Sequence, residues 1–216
     1  MMNRLKEESV SLVCIAMMFV LGLVLKPYLP EMLPNHWNIY GQVNGYIHKS
    51  YGVFFMPFVT LGVYLLLLAL PKLDPRAENY IKFSNVYQRL KLMFVLFFVL
   101  LYFATLSFAM GWIKDITKIM ILLISFIFML LGNYFGKIRQ NYFVGIKVPW
   151  TLADEEVWNK THRFGGRLWV LSGLLGVIGI IIPAPYSVVP LFSAIFLSTI
   201  ITIIYSYLIY KTKEKK

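Results

Sequence analysis

The sequence predicts an all-α integral membrane protein with six transmembrane helices and both its N- and C-termini in the cytoplasm. Three observations lead there: a composition too apolar to coat a soluble globule, six uncharged runs long enough to cross a bilayer, and a one-sided distribution of lysine and arginine. Of the 216 residues 59% are hydrophobic and only 14% are charged, whereas soluble domains carry about 45–50% apolar and about 25% charged residues. So apolar a chain has ample surface to bury, which also excludes disorder. The single cysteine, Cys14, allows neither an intramolecular disulfide nor a cysteine-rich metal site.

A helix crossing the ~30 Å hydrocarbon core needs about 20 mostly apolar residues. Runs 9–25, 51–70, 92–113, 119–135, 168–182 and 188–210 meet or approach that length without a single Asp, Glu, Lys, Arg or His. The first follows Arg4 and Lys6, but its end, Leu23-Val24-Leu25-Lys26-Pro27, lacks a small-x-small cleavage pattern, so it reads as a retained helix and not a signal peptide. The fifth is the shortest and gains length if begun at Phe164, with the stem of Arg167 reaching the interface. These runs are apolar on every face, and the chain offers no amphipathic elements to cover them in water. With the N-terminus inside, 17 lysines and arginines fall in segments 1–8, 71–91, 136–167 and 211–216, and only Lys26, Lys49, Lys114 and Lys118 lie outside. Cytoplasmic segments retain positive charge, so the net charge of +11 reads as topology and attraction to anionic membrane lipids, with no direct nucleic-acid partner. The organisation expected is an N-terminal two-helix module over 1–70 with outer loop 26–50, a middle helix pair over 71–135, and a C-terminal module over 136–216 carrying a cytoplasmic motif at 141–167.

Three stretches outside the hydrocarbon are long enough for recognition or chemistry. In the outer loop Pro27, Pro30 and Pro34 favour extended backbone, while Gly41 and Asn44-Gly45 supply turn positions; a turn-rich cap follows. Its Tyr28, Trp37, Tyr40, Tyr46 and Tyr51 suit the headgroup layer and suit an amphipathic ligand equally. Glu31, His36 and His48 have no recurrent metal-ligand spacing, so no metal is expected. Stretch 71–91 reads as a solvated interfacial helix running into the third span. In the third stretch Thr151 with Asp154 three residues on is a helix-start pattern, and Asp154, Glu155 and Glu156 suit the positive end of the dipole. That helix is expected to stop or kink at Gly165-Gly166. Capping accounts for the acids, and His36, His48 and His162 are scattered on both sides of the bilayer, so no catalytic set and no cofactor are expected. Charges within the six runs, the usual mark of ion pathways, are absent.

Two signatures carry a family resemblance. Leu33-Pro34-Asn35-His36-Trp37-Asn38 with Gly41, Gly45 and Lys49 resembles a small N-terminal membrane module that recurs in bacterial proteins around a Pro-x-His-Trp-Asn core. Asn141, then Gly145-Ile146-Lys147-Val148-Pro149-Trp150-Thr151-Leu152, with Trp158 and Arg163, is similar to the signature of the SdpI family of immunity proteins. Lys147 stands where the pattern has arginine and Val148 where it has threonine; lysine keeps the charge but loses the planar fork. The resemblance implies a six-span immunity protein in the cell membrane that protects a bacterium from a secreted, membrane-active peptide toxin. It further implies a sensor that holds a cytoplasmic DNA-binding repressor at the membrane. His36, Trp37, Asn38, Gly41, Gly45 and Lys49 then become toxin-recognition residues, and Asn141, Gly145, Lys147, Pro149, Trp150, Thr151, Trp158 and Arg163 signalling residues. The alternatives are a small multi-pass transporter or channel, or an envelope stress protein without a dedicated toxin.

Overall fold

The computed structural model describes residues 2–214, with side chains from Glu8 onward. Six helices have the length and apolarity of membrane spans: α1 (Met2–Leu25), α2 (Lys49–Leu73), α4 (Ser84–Ala109), α5 (Ile116–Phe135), α7 (Glu155–Ile178) and α8 (Val189–Glu214). Two short helices, α3 (Ala77–Lys82) and α6 (Pro149–Ala153), interrupt the connections at one end. Large apolar side chains such as Phe58, Phe126 and Phe196 are more than half exposed, as befits helices whose solvent is lipid.

The loop after α1 is more regular than a turn-rich cap. It forms an antiparallel hairpin, β1 (Met32–Trp37) with β2 (Val43–His48), pairing Met32 with His48 and Leu33 with Ile47. Pro34 is tolerated because a two-stranded sheet has only edge strands, and the register shifts beside it, between Pro34 and His36. The hairpin docks through buried Leu33, which packs with Val53, Tyr102 and Leu106.

Packing sorts the spans into two groups. Helices α1, α2 and α4 pack on one another, α7 packs on both α5 and α8, and α4 meets α5 between the groups. At the end opposite the hairpin an aromatic core of Tyr80, Phe83, Tyr87, Phe135 and Trp158 joins the two groups. The α5–α7 crossing is close because Gly132 and Gly166 face each other: a Cβ on Gly132 would lie 2.5 Å from the Gly166 carbonyl oxygen. In lipid, where apolar burial no longer drives helices together, such small-residue contacts hold a bundle.

Against expectation, Gly165-Gly166 does not stop the helix, since α7 runs through both residues; both are buried, Gly166 against α5 and Gly165 against Ile146 and Thr202. Packing outweighs their low helix propensity. Thr151 does not start the long helix: it is the third residue of α6, and Asp154 caps α7 by accepting from the Glu156 and Val157 N–H groups at 2.8 and 3.0 Å. Stretch 71–91 is not a solvated face throughout, because Asp74, Tyr80, Tyr87 and Lys91 are all buried. Phe83 breaks α3 from α4 with φ of −127°. Lys91 donates to Glu8, which also accepts from the Tyr64 hydroxyl, so a buried charge is paired between α4 and α1.

Candidate functional site

The two signatures lie at opposite ends of the bundle. At the hairpin end, Asn38 closes the turn: its Oδ1 accepts from the Tyr40 and Gln42 N–H groups at 2.9 and 3.0 Å, the local bonding that makes asparagine a turn former. Gly41 follows with φ +76°. Gly45 sits opposite His36, where a Cβ would lie 2.8 Å from Asn35 Oδ1. Lys49 ties the hairpin base down, donating to the Leu29 carbonyl at 3.2 Å and to Glu31 at 2.9 Å. That lysine holds the Glu31 carboxyl below the usual carboxylate range. Asn38, Gly41, Gly45 and Lys49 therefore shape the hairpin, whereas His36 and Trp37 present chemistry. His36 is exposed and its Nδ1 donates to Asn44 Oδ1 at 2.6 Å. Trp37 is half-buried, meets Phe108 edge-on at 5.7 Å, and has a buried Nε1–H without an acceptor.

Beneath His36, Trp37 and Asn38 lies a cavity of about 390 Å³ between the two helix groups. Thr105 of α4 and Thr117 of α5 are polar points on its wall, and the rest is aliphatic, aromatic or methionine apart from the hairpin residues and Gly52. Its size falls in the range of ligand sites, about 300–1,000 Å³. Thr105, Thr117, Ile124 and Phe192 are lining residues that sequence reasoning missed, because lining depends on how α4, α5 and α8 meet.

At the other end, the second signature folds into a polar knot around Asn141, which is fully buried. Its Oδ1 accepts from Tyr80 Oη at 3.2 Å and from the Phe143 and Val144 N–H groups at 2.9 and 2.7 Å. Its Nδ2 donates to the Arg139 and Val144 carbonyls at 2.8 and 2.9 Å. Tyr80 also donates to Asp74, which accepts from the Tyr142 N–H. Gln140 bonds the Thr151 and Leu152 carbonyls, and Arg76 donates to the latter. Asp74, Arg76 and Tyr80 escaped sequence reasoning because their partners lie 68, 76 and 61 positions away, and Gln140 because it bonds backbone rather than a recognisable side chain.

The remaining residues of this signature divide by exposure. Gly145 has φ +123° and lies against the rings of His162 and Trp158, where a side chain has neither backbone freedom nor room. Trp158 is buried, donates to the Ile138 carbonyl at 2.9 Å and stacks on His162 at 4.0 Å. His162 Nδ1 donates to the Trp158 carbonyl and Nε2 accepts from the Ile146 N–H at 2.9 Å. That arrangement fixes one neutral tautomer and leaves the ring no free nitrogen for acid/base work. Thr151 Oγ1 bonds the Ile146 and Val148 carbonyls, and Trp150 Nε1 donates to Ser206 on α8 at 2.6 Å. Lys147, Pro149 and Arg163 are exposed, as are Tyr142 and Phe143 beside them. Near the end of α8, Lys213 donates to Asp154 at 2.6 Å and, with the Val157 N–H, holds its carboxyl below the usual range. Among the described residues no group of three His, Cys, Asp or Glu is placed to hold a metal ion.

Comparison with known proteins bears on both ends. Residues 137–206 match the SdpI/YfhL protein family, and residues 13–61 match a domain of unknown function, DUF1648. Over 207 residues, 96% of this chain and 97% of the other, the sequence is 25% identical to "Immunity protein SdpI" of Bacillus subtilis (strain 168). No solved structure matches.

Proposed function

We propose that this chain, a member of the SdpI family and a multi-pass membrane protein, confers immunity to a secreted, membrane-active peptide toxin by binding it at the hairpin end. The observation that carries the reading is a match to an immunity protein that spans nearly the whole of both chains, so hairpin and motif come together as one unit. The excess of lysine and arginine at the motif end supports a cytoplasmic motif and an outward-facing hairpin. An exposed His36 and a half-buried Trp37 on the hairpin suit an amphipathic peptide arriving from outside. Asn38, Gly41, Gly45 and Lys49 then hold those two in place. At the motif end, Asn141, Gly145, Thr151 and Trp158 build the platform. Lys147, Pro149 and Arg163 offer it to a cytoplasmic repressor, and Trp150 braces it against α8. Binding outside favours one packing of the helices, and the rigid platform carries that difference inward.

The test uses a susceptible strain killed by the small-peptide fraction of medium conditioned by the source bacterium. Cells expressing this chain should survive that challenge, and Trp37→Ala should lower the tolerated dose about tenfold or more, the loss of about 1.4 kcal/mol of binding, at unchanged membrane level. Continued killing of cells that carry the intact protein in their membrane would contradict the immunity reading. Full protection by both Trp37→Ala and His36→Ala would take the hairpin out of the mechanism.

A further inference from the structure

Hydrocarbon offers a polar side chain no partner, yet the α5–α7 crossing carries two exposed ones at membrane depth. At a rise of about 1.5 Å per residue, Arg167 lies about 21 Å from Ile181 and Asn133 about 26 Å from Ile116, the hairpin-side ends of their spans, so both backbones fall within the ~30 Å core. Arg163 stands one turn nearer the motif end. All three side chains are exposed, and among the described residues none has a hydrogen bond or an ion pair. They share one side of the crossing. Gly132 and Gly166 meet at its centre, and the next residue on each helix, Asn133 and Arg167, is turned about 100° from that contact. Because the helices run antiparallel, both turn to the same side, while Phe128, Phe135 and Trp169 pack on the other. Gly136 leaves room for the Arg163 stem to lie on α5, since a Cβ there would be 3.0 Å from Arg163 Cγ.

This side faces lipid. Arg163 and Arg167 begin a row on α7 that continues through Leu171, Leu174 and Ile178, each about half exposed. On α5, Phe126, two turns before Asn133, is exposed as well. We infer that the patch binds the phosphate of an anionic phospholipid in the motif-side leaflet: Arg163 and Arg167 pair with the phosphate, Asn133 Nδ2 donates to the lipid from α5, and an acyl chain follows Leu171 and Leu174. Guanidinium matches phosphate in charge and in its paired N–H donors. A zwitterionic lipid would add a cation beside two arginines. An acidic segment of a soluble protein has the charge but cannot follow the row into hydrocarbon. The bound lipid bridges α5 and α7 across their glycine contact and so stabilises the crossing. The site is independent of the immunity reading and shares only Arg163 with the proposed platform.

Native mass spectrometry of the detergent-solubilised protein, titrated with phosphatidylglycerol, tests this. Arg163→Gln/Arg167→Gln should weaken the first-bound phosphatidylglycerol about tenfold or more. Lys72→Gln/Lys211→Gln, which removes the same charge from exposed positions at the same end, should bind like the parent. Asn133→Leu should weaken binding about threefold, the loss of one hydrogen bond. Arg163→Lys/Arg167→Lys keeps the charge and loses the fork; it should recover part of the affinity, a rescue that a misfolded variant would not show. Phosphatidylcholine of the same chain length should bind the parent and the glutamine variant alike, and phosphatidylglycerol should raise the unfolding temperature of the parent but not of that variant. Equal losses in the arginine and lysine double variants would reduce the effect to diffuse charge and overturn the site, as would unchanged binding by Arg163→Gln/Arg167→Gln. Displacement of the phosphatidylglycerol by a soluble glutamate-rich peptide would assign the patch to an acidic protein segment and overturn it too.

Discussion

Gly166→Val is expected to keep the protein from accumulating as a monodisperse species, and Gly166→Ala to lower its thermal stability in detergent clearly. A Cβ at Gly166 would overlap the Gly132 carbonyl oxygen of α5, and the facing Cβ at Gly132 would lie 2.5 Å from the Gly166 oxygen and 2.8 Å from the Val170 nitrogen. The obstructing atoms are backbone, so no rotamer change relieves the clash, and the helices must separate. Overpacking a filled interior costs about 1–3 kcal/mol, and separation forfeits the close packing on which helix association in lipid depends. The crossing also aligns Trp169 with Phe135, whose rings lie 4.5 Å apart, so its loss reaches the core that joins the two groups. Gly62→Ala in α2 is the matched control, because a Cβ there meets nothing within 4 Å. Size-exclusion profiles and thermal unfolding of the three variants check the result. Equal stability of Gly166→Val and the parent would mean that α5 and α7 do not touch at this point.

Asn141→Leu is the second large effect. Leucine leaves the Phe143 and Val144 N–H groups without the acceptor they share, and the Arg139 carbonyl without its donor. Each buried polar group left unpaired costs about 1–3 kcal/mol, and several arise together at a fully buried site. The Tyr80 hydroxyl keeps only Asp74, so the damage spreads to the connection between α2 and α3. The expected outcome is a loss of stability of about 3 kcal/mol or more, with proteolysis first attacking the 138–150 segment. Asn141→Asp keeps the acceptor and loses the amide donors, so it should fall between leucine and the parent. Limited proteolysis of detergent-solubilised variants reads this order; a segment in Asn141→Leu as resistant as the parent's would show that the knot does not hold it.

The spans were legible because they rest on composition alone: a run without charge and about 20 residues long has few alternatives to a membrane helix. The outer aromatics and the second signature were legible as strings. What escaped was the pairing of distant residues. Asp74 bonds the backbone of Tyr142, 68 positions away, and Lys91 meets Glu8 across 83 positions; no local pattern encodes either. For that reason a segment rich in charge read as a solvated face although five of its polar or aromatic residues, Asp74, Tyr80, Phe83, Tyr87 and Lys91, are buried. The prolines marked extended backbone in the outer loop, but the pairing of Leu33 with Ile47 across it has no local signature. Gly165-Gly166 misled in the opposite sense, since local propensity describes an isolated helix and α7 is held by α5 and α8. Of the proposed recognition residues, the string identified Trp37, but only the assembled bundle places it over a cavity with its indole nitrogen unpaired.

The proposed mechanism requires the two signatures to face opposite aqueous phases. In a Cys14→Ala background, single cysteines at Tyr40 in the hairpin turn and at Lys147 in the second signature, both exposed, can be challenged in intact cells with a membrane-impermeant maleimide. The cysteine at Tyr40 should be labelled at once, and the one at Lys147 only after the cells are opened. Equal labelling of both in intact cells, or labelling of the Lys147 position alone, would contradict a receptor that meets its toxin outside and signals within.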